Sequence, residues 1–335
     1  MRVLAAASLV VVLLPAFAHA EESFVDRIGS AIGTAVAPLF AAGAELRQAR
    51  FFHPSGTTYT GAVRSVATDP AFASVAKRLE GGVLARMGGG LLKFQVGDRE
   101  PALPDVPGLA LRFTAAEDAG TPASHAGDLD VTFCAYTERF RTLITGIGFL
   151  KADAGDFMNN EFFPDVPFRL EGVGDVWLRL RPKKVATRGD YRAERFDNTV
   201  RDGDAIFTLE AQRLNTSVSR EWLGVDLKTL FTTFSLNEAT RSNPWIPLVE
   251  IRLDQRVDLD QGQLKFDPRS KARGFEPRGI VTAIRGPVYE LGAQARPQSE
   301  EPVGRGERPS RTVGLSEVIQ ERTVRALERP KAAER

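Results

Sequence analysis

Two short runs carry the side chains best suited to chemistry. Arg285-Gly286-Pro287-Val288-Tyr289 places a guanidinium four residues before a phenol. Arg50-Phe51-Phe52-His53-Pro54-Ser55-Gly56, continuing to Gly61, places an imidazole three residues after another guanidinium. A phenol has an ordinary pKa near 10, so it serves as an anionic ligand only beside positive charge. A metal ion supplies most of that charge, and an arginine one helical turn away adds a permanent increment. Tyrosinate is a hard donor suited to ferric iron. Imidazole titrates near neutrality and is the commonest side chain for moving a proton. Together the two runs could hold a ferric haem, with the phenolate on the iron and the imidazole working on a peroxide from the opposite side.

Taken singly, each run has a plainer reading. Arg285 and Tyr289 fit a surface cation beside a half-buried tyrosine. His53, between two phenylalanines and a proline at the start of an apolar strand, fits a hydrogen-bonded core histidine. His125 lies in the small, polar run Pro122-Ala123-Ser124-His125-Ala126-Gly127-Asp128 and reads as an exposed loop residue.

These residues belong to a chain of 335, long enough for one large domain or two small ones with a sizeable core. The charge balance is close to even, +1 overall, so there is no basic surplus of the kind that marks a nucleic-acid partner. The first twenty residues read as a secretory leader. Arg2 is the basic start, the stretch from Val3 to Phe17 is almost wholly apolar, and Ala18-His19-Ala20 gives a small-x-small cleavage site. The expectation is a periplasmic or secreted protein with no membrane span once the leader is removed. Cys134 is the only cysteine, which excludes an intrachain disulfide and a cysteine-based cluster.

Apolar periodicity predicts a helix over 22–50, with a break or kink at Pro38, and a strand over 51–66. A helix is expected over 69–79, capped by Thr68 or Asp69 ahead of Pro70. The five glycines between Gly81 and Phe94 suggest strand segments and bends. The middle is strongly β. Leu109, Leu111 and Phe113 alternate with Ala110 and Arg112, and the same period recurs at Val176–Leu178–Leu180, Phe207–Leu209–Ala211 and Val249–Ile251–Leu253. Helical candidates lie at 138–150, 152–159 and 219–231. Such a series fits an antiparallel barrel, or a large sheet decorated by helices. Residues 21–296 form the expected domain. From 297 to 335 a Pro, Glu, Arg and Ser-rich tail reads as largely disordered, with weak helical periodicity over 313–327.

Several segments resemble one family in order. Arg50-x-x-His53-x-x-Gly56-x-x-x-x-Gly61 resembles the distal-histidine strand of haem catalases. Gly108-Leu109-Ala110-Leu111-Arg112-Phe113 resembles that family's G-F-A-L-K-F strand, and Arg86 precedes it at the distance of a second family arginine. Phe162 through Leu170 and Trp177 through Pro182 look like its next pair of strands. Leu264-Lys265-Phe266-Asp267-Pro268, Pro277-Arg278-Gly279 and Arg285 through Tyr289 resemble the ending of its small members. The match runs over about residues 47–296, and the chain is similar to a small, mini-catalase type of catalase-related haem protein.

The resemblance implies an α+β fold: the catalase-type antiparallel β-barrel with helical insertions, binding ferric haem b. It implies Tyr289 as the axial iron ligand, Arg285 as the residue that tunes it, and His53 as the catalytic acid–base group. Arg50 and Arg86 would meet the haem propionates, and Phe140 would lie over the ring. The implied partners are a small-molecule peroxide, either hydrogen peroxide or an organic hydroperoxide, and an electron donor of unknown identity. A monomer or homodimer is expected. One departure stands out. The family's distal asparagine run is replaced by Gly127-Asp128-Leu129-Asp130-Val131. That favours a peroxidase using an outside reductant, or a slow catalase, over efficient disproportionation. A haem-free scaffold and a haem carrier are the alternatives.

Overall fold

The period-two runs form strands that turn their alternating apolar residues to one side. In a computed structural model, residues 24–47, 55–89, 107–135, 152–164, 166–214, 243–260 and 262–295 are described. The strands are β1 (Ser55–Ser65), β2 (Gly81–Gly89), β3 (Gly108–Thr114), β4 (Leu129–Ala135), β5 (Phe162–Phe163) and β6 (Phe168–Leu170). They continue as β7 (Gly174–Pro182), β8 (Ile206–Arg213), β9 (Ile246–Val257) and β10 (Phe275–Pro277). Among the described residues the helices are α1 (Phe24–Arg47), α2 (Pro70–Arg78), α3 (Arg192–Arg201) and α4 (Ile280–Ala295).

Hydrogen bonding runs β7-β5-β4-β3-β2-β1-β9-β8, and β8 pairs back onto β7. The eight strands therefore close into an antiparallel barrel, with β6 and β10 carried outside on β7. Closure decides between the two architectures that the alternation allowed, and it removes the exposed edges of an open sheet. Register keeps one face inside throughout. Tyr59 stands opposite Ala85, Ala85 opposite Leu111, and Leu111 opposite Val131. Phe162 meets Leu180, Leu180 meets Leu209, and Leu209 meets Val249. All of these are buried. A slip of one residue would turn the whole set outward, so burial of this face fixes the register of the outer face too.

The helices divide between the barrel's mouths and its flank. α2 links β1 to β2 and buries Phe72, Val75 and Ala76. Its start is as the sequence predicts: Asp69 caps it by accepting the Ala71 N–H at 2.9 Å, with Pro70 in the first turn. α3 lies at the opposite mouth, where Phe196 packs edge-on to Tyr59 (5.0 Å between centroids) and to Phe157 (5.6 Å). The Tyr59 hydroxyl donates to Asp197 at 2.7 Å, and burial drives this phenol far above its usual range, so it stays neutral.

α1 and α4 pack together on the flank. Gly29, Gly33 and Ala37 are buried at intervals of four along α1. A Cβ on Gly33 would stand 2.3 Å from the carbonyl oxygen of Ile284 on α4, so the two backbones meet where no side chain fits. Of the break or kink expected at Pro38 the break is absent: α1 runs through it. Pro38 is exposed, so the carbonyl deprived of its partner there can turn to water.

The helix expected over 152–159 is replaced by a single 3-10 turn, Phe157–Asn159. The cause is competition from side chains. Asp153 accepts the Gly155 N–H and Asp156 accepts the Met158 N–H, both at 2.8 Å, while the Asn160 amide bonds the backbone oxygens of Asp153 and Asp156. The leader (1–20), the helices expected over 138–150 and 219–231, and the tail (297–335) with its 313–327 segment lie outside the described residues.

Candidate cofactor site

The outer faces of β1 to β4 carry an unusual row. Gly56, Gly88, Gly108 and Cys134 stand directly opposite one another across four strands. The next row on the same face is Thr58, Arg86, Ala110 and Thr132. Glycine weakens a strand interior, so three in register mark a place where something approaches the backbone closely. Part of the answer is internal. A Cβ on Gly56 would lie 2.6 Å from the guanidinium carbon of Arg86, so the buried Arg86 side chain lies across Gly56. The remainder of the two rows is small: glycine, alanine, threonine and cysteine.

α4 brings the phenol to this wall. The Arg285 Nη2 donates to the Thr132 hydroxyl at 2.6 Å and to the Tyr289 hydroxyl at 3.1 Å. The same guanidinium carbon lies 5.2 Å from the centroid of the Tyr289 ring. One nitrogen thus joins the C-terminal helix, the phenol oxygen and the barrel wall. Arg285 and Tyr289 are both half-buried, shielded in part from water's screening.

A buried ion pair one row along sets how α4 arrives. Arg112 donates to both oxygens of Asp130, at 2.8 and 3.1 Å, and to the carbonyls of Pro122 (3.0 Å) and Lys265. Asp130 also accepts the Asp267 N–H at 2.8 Å. Burial pushes the Asp130 carboxyl upward, and the Arg112 guanidinium and the Asp267 amide oppose that push. The segment ahead of β10 and α4 is thereby pinned to the face of β4 that carries Thr132.

The structure brings Arg285 and Tyr289 together as their spacing requires, and sets Arg86 in the same row as Thr132, two strands away. Arg50, His53 and Phe140 lie outside the described residues. His125 is exposed, with Nδ1 3.6 Å from Asp118 and 3.9 Å from Asp128. The two carboxylates in the stretch that lacks the expected asparagine are both engaged. Asp128 accepts the His125 N–H at 2.8 Å, and Asp130 is held by Arg112. Thr132, the glycine row and the Arg112–Asp130 pair were not foreseen as parts of the site. Their juxtaposition depends on strand register, which no local motif encodes. Among the described residues no three His, Cys, Asp or Glu side chains gather as a metal site, and no helix is long and apolar enough to cross a membrane.

No protein-family model matches the sequence, and no curated protein does. Among solved structures the chain is similar to a bacterial catalase, at 14% identity and a TM-score of 0.49, over 79% of this chain and 60% of that one. It is also similar to a fungal catalase, at 12% identity and a TM-score of 0.48, over 76% of this chain and 60% of that one. The chain therefore spans about 60% of the length of either solved protein.

Proposed function

We propose that this protein is an exported haem-dependent peroxidase, or a slow catalase, that cleaves the O–O bond of hydrogen peroxide or an organic hydroperoxide. The observation that carries the reading is the Arg285–Tyr289 pair, held against a wall of small side chains by one shared guanidinium nitrogen. The ordered resemblance of residues 47–296 to small catalase-related proteins supports it.

The residues present fit a ferric porphyrin. A planar macrocycle needs a surface with few projecting side chains, and Gly88, Gly108 and Ala110, adjacent on β2 and β3, offer one beside Arg86. Its iron needs an anionic fifth ligand, and Tyr289 is a phenol with a guanidinium on its oxygen. Its propionates need cations, for which Arg86 and Arg50 are the assigned partners. When bound, haem supplies the redox chemistry.

The protein's own part is to bind, orient and move a proton. Tyr289 would hold the iron, with the Arg285 guanidinium on its oxygen. His53 is the assigned acid–base residue: it takes the proton from one peroxide oxygen and returns it to the other, so the leaving group departs as water or an alcohol rather than as an anion. With Asp128 and Asp130 committed to other bonds, no free amide or carboxylate from that stretch orients a second peroxide. Slow oxygen release and efficient oxidation of an added electron donor follow.

Peroxide turnover tests the reading. His53→Ala should lower the rate at least ~100-fold, the lower edge for removing a general acid–base group. Equal rates in the variant and the parent would remove His53 from the chemistry and favour a haem carrier. Fast oxygen evolution without a donor would contradict the peroxidase assignment.

A further inference from the structure

Arginine is a long side chain with five donors, and nothing in its own sequence neighbourhood obliges it to stay on a phenol one turn away. One hold on it comes from another element. The Thr132 hydroxyl accepts from the same Nη2 that donates to Tyr289, at 2.6 Å against 3.1 Å. Thr132 is β-branched and stands on a strand paired with β3, so its own side chain has little freedom. Two residues back on that face, Asp130 is locked by Arg112 and by the amide of Asp267. One strand face therefore fixes both the segment leading into α4 and the guanidinium that α4 presents.

We propose that Thr132 is a positioning residue for the iron-ligating pair: its hydroxyl, rigid on β4, holds the Arg285 guanidinium on the oxygen of Tyr289. The role of the pair rests on the haem reading above; the hold itself does not. The hydroxyl works as an acceptor, so serine can replace it and valine, of nearly the same shape, cannot. Thr132 touches neither the haem iron nor the peroxide in this account and acts only through Arg285.

Two measurements on the full chain separate the hold from the haem reading. In the haem-free protein, nitrogen-15 NMR of arginine side chains, with Arg285 assigned from Arg285→Lys, reads rotation about the guanidinium. Rotation at Arg285 should be slow in the parent and in Thr132→Ser, and markedly faster in Thr132→Val. In the protein supplied with haem, the ferric absorption spectrum and the rate of haem transfer to an apoglobin report on the ligand. Thr132→Val should shift the tyrosinate band and speed haem loss about tenfold, the scale of one hydrogen bond to a charged group. Thr132→Ser should restore both, with melting temperatures alike in all three proteins. Slow rotation in the parent but no bound haem would sink the haem reading and leave the hold standing. Bound haem with identical rotation, spectra and transfer rates in Thr132→Val would overturn the proposal.

Discussion

The two halves of the barrel share one interior and differ on the outside. On β7 and β8 the outward residues are large: Trp177 opposite Gln212, and Arg179 opposite Glu210. Arg179 meets Glu210 at 2.7 Å and lies 4.3 Å from the ring centroid of Trp245, while Glu210 also binds Arg181. On β1 to β4 the corresponding positions are glycine, alanine, threonine and cysteine, crossed by Arg86 alone among the large side chains of the two rows. One half completes its outer layer with its own side chains. The other has two rows of small residues beside the Arg112–Asp130 pair. A core argument cannot explain this difference, because the inward ladder is equally apolar in both halves.

The sharpest way to break the comparison is at the two ion pairs. Asp130→Ala should leave Arg112 buried without its anion and release the 264–267 segment. The expected loss is about 3–5 kcal/mol of stability in a denaturant titration, with haem binding impaired as α4 loses its anchor. Next comes the wall itself. Ala110→Trp fills the small-residue face from a half-buried position, and it should weaken haem binding by at least about tenfold, on the scale of an overpacked contact. The chain's melting temperature should change little. Unchanged haem affinity would show that the wall is not the contact surface. Arg179→Ala sits on the completed half. It should lower stability by about 1–2 kcal/mol through a lost partner for Glu210 and lost stacking on Trp245, yet leave haem affinity as it was.

The smallest effect is a pH dependence away from both faces. Glu276 on β10 accepts from Lys271 at 2.9 Å, and that bond above all holds its carboxyl below the usual range. A depressed folded pKa stabilises above the unfolded value and is lost as the pH falls through the folded one. The stability difference between the parent and Glu276→Gln should therefore be largest at neutral pH and shrink below about 4.5, the ordinary glutamate value. A difference that grew on acidification would reverse the assignment.

What the sequence made legible follows the same divide. The inward ladder was readable because burial on one face imposes a period of two, visible at Leu109, Leu111 and Phe113 without any knowledge of their partners. The wall was not. Gly56, Gly88 and Gly108 are far apart in sequence, and only register shows them as one row. The glycines of the second strand suggested bends because a glycine's local meaning is conformational. α3 leaves little trace in the sequence because Arg192–Arg201 is mostly polar, its buried Ala193, Phe196 and Val200 too few to dominate the pattern. The Arg285–Tyr289 turn was legible because four residues make one helical turn, whereas the hydroxyl of Thr132 that completes it arrives from 153 positions away.

The central claim is that Tyr289, on the helix that Arg285 ties to Thr132 of β4, ligates a ferric haem. Titrating the full chain with haem and recording its absorption tests this most directly. The account predicts one equivalent bound with a five-coordinate ferric tyrosinate spectrum, abolished by Tyr289→Phe and intact in Arg179→Ala. No bound haem, or a spectrum that Tyr289→Phe leaves unchanged, would contradict it.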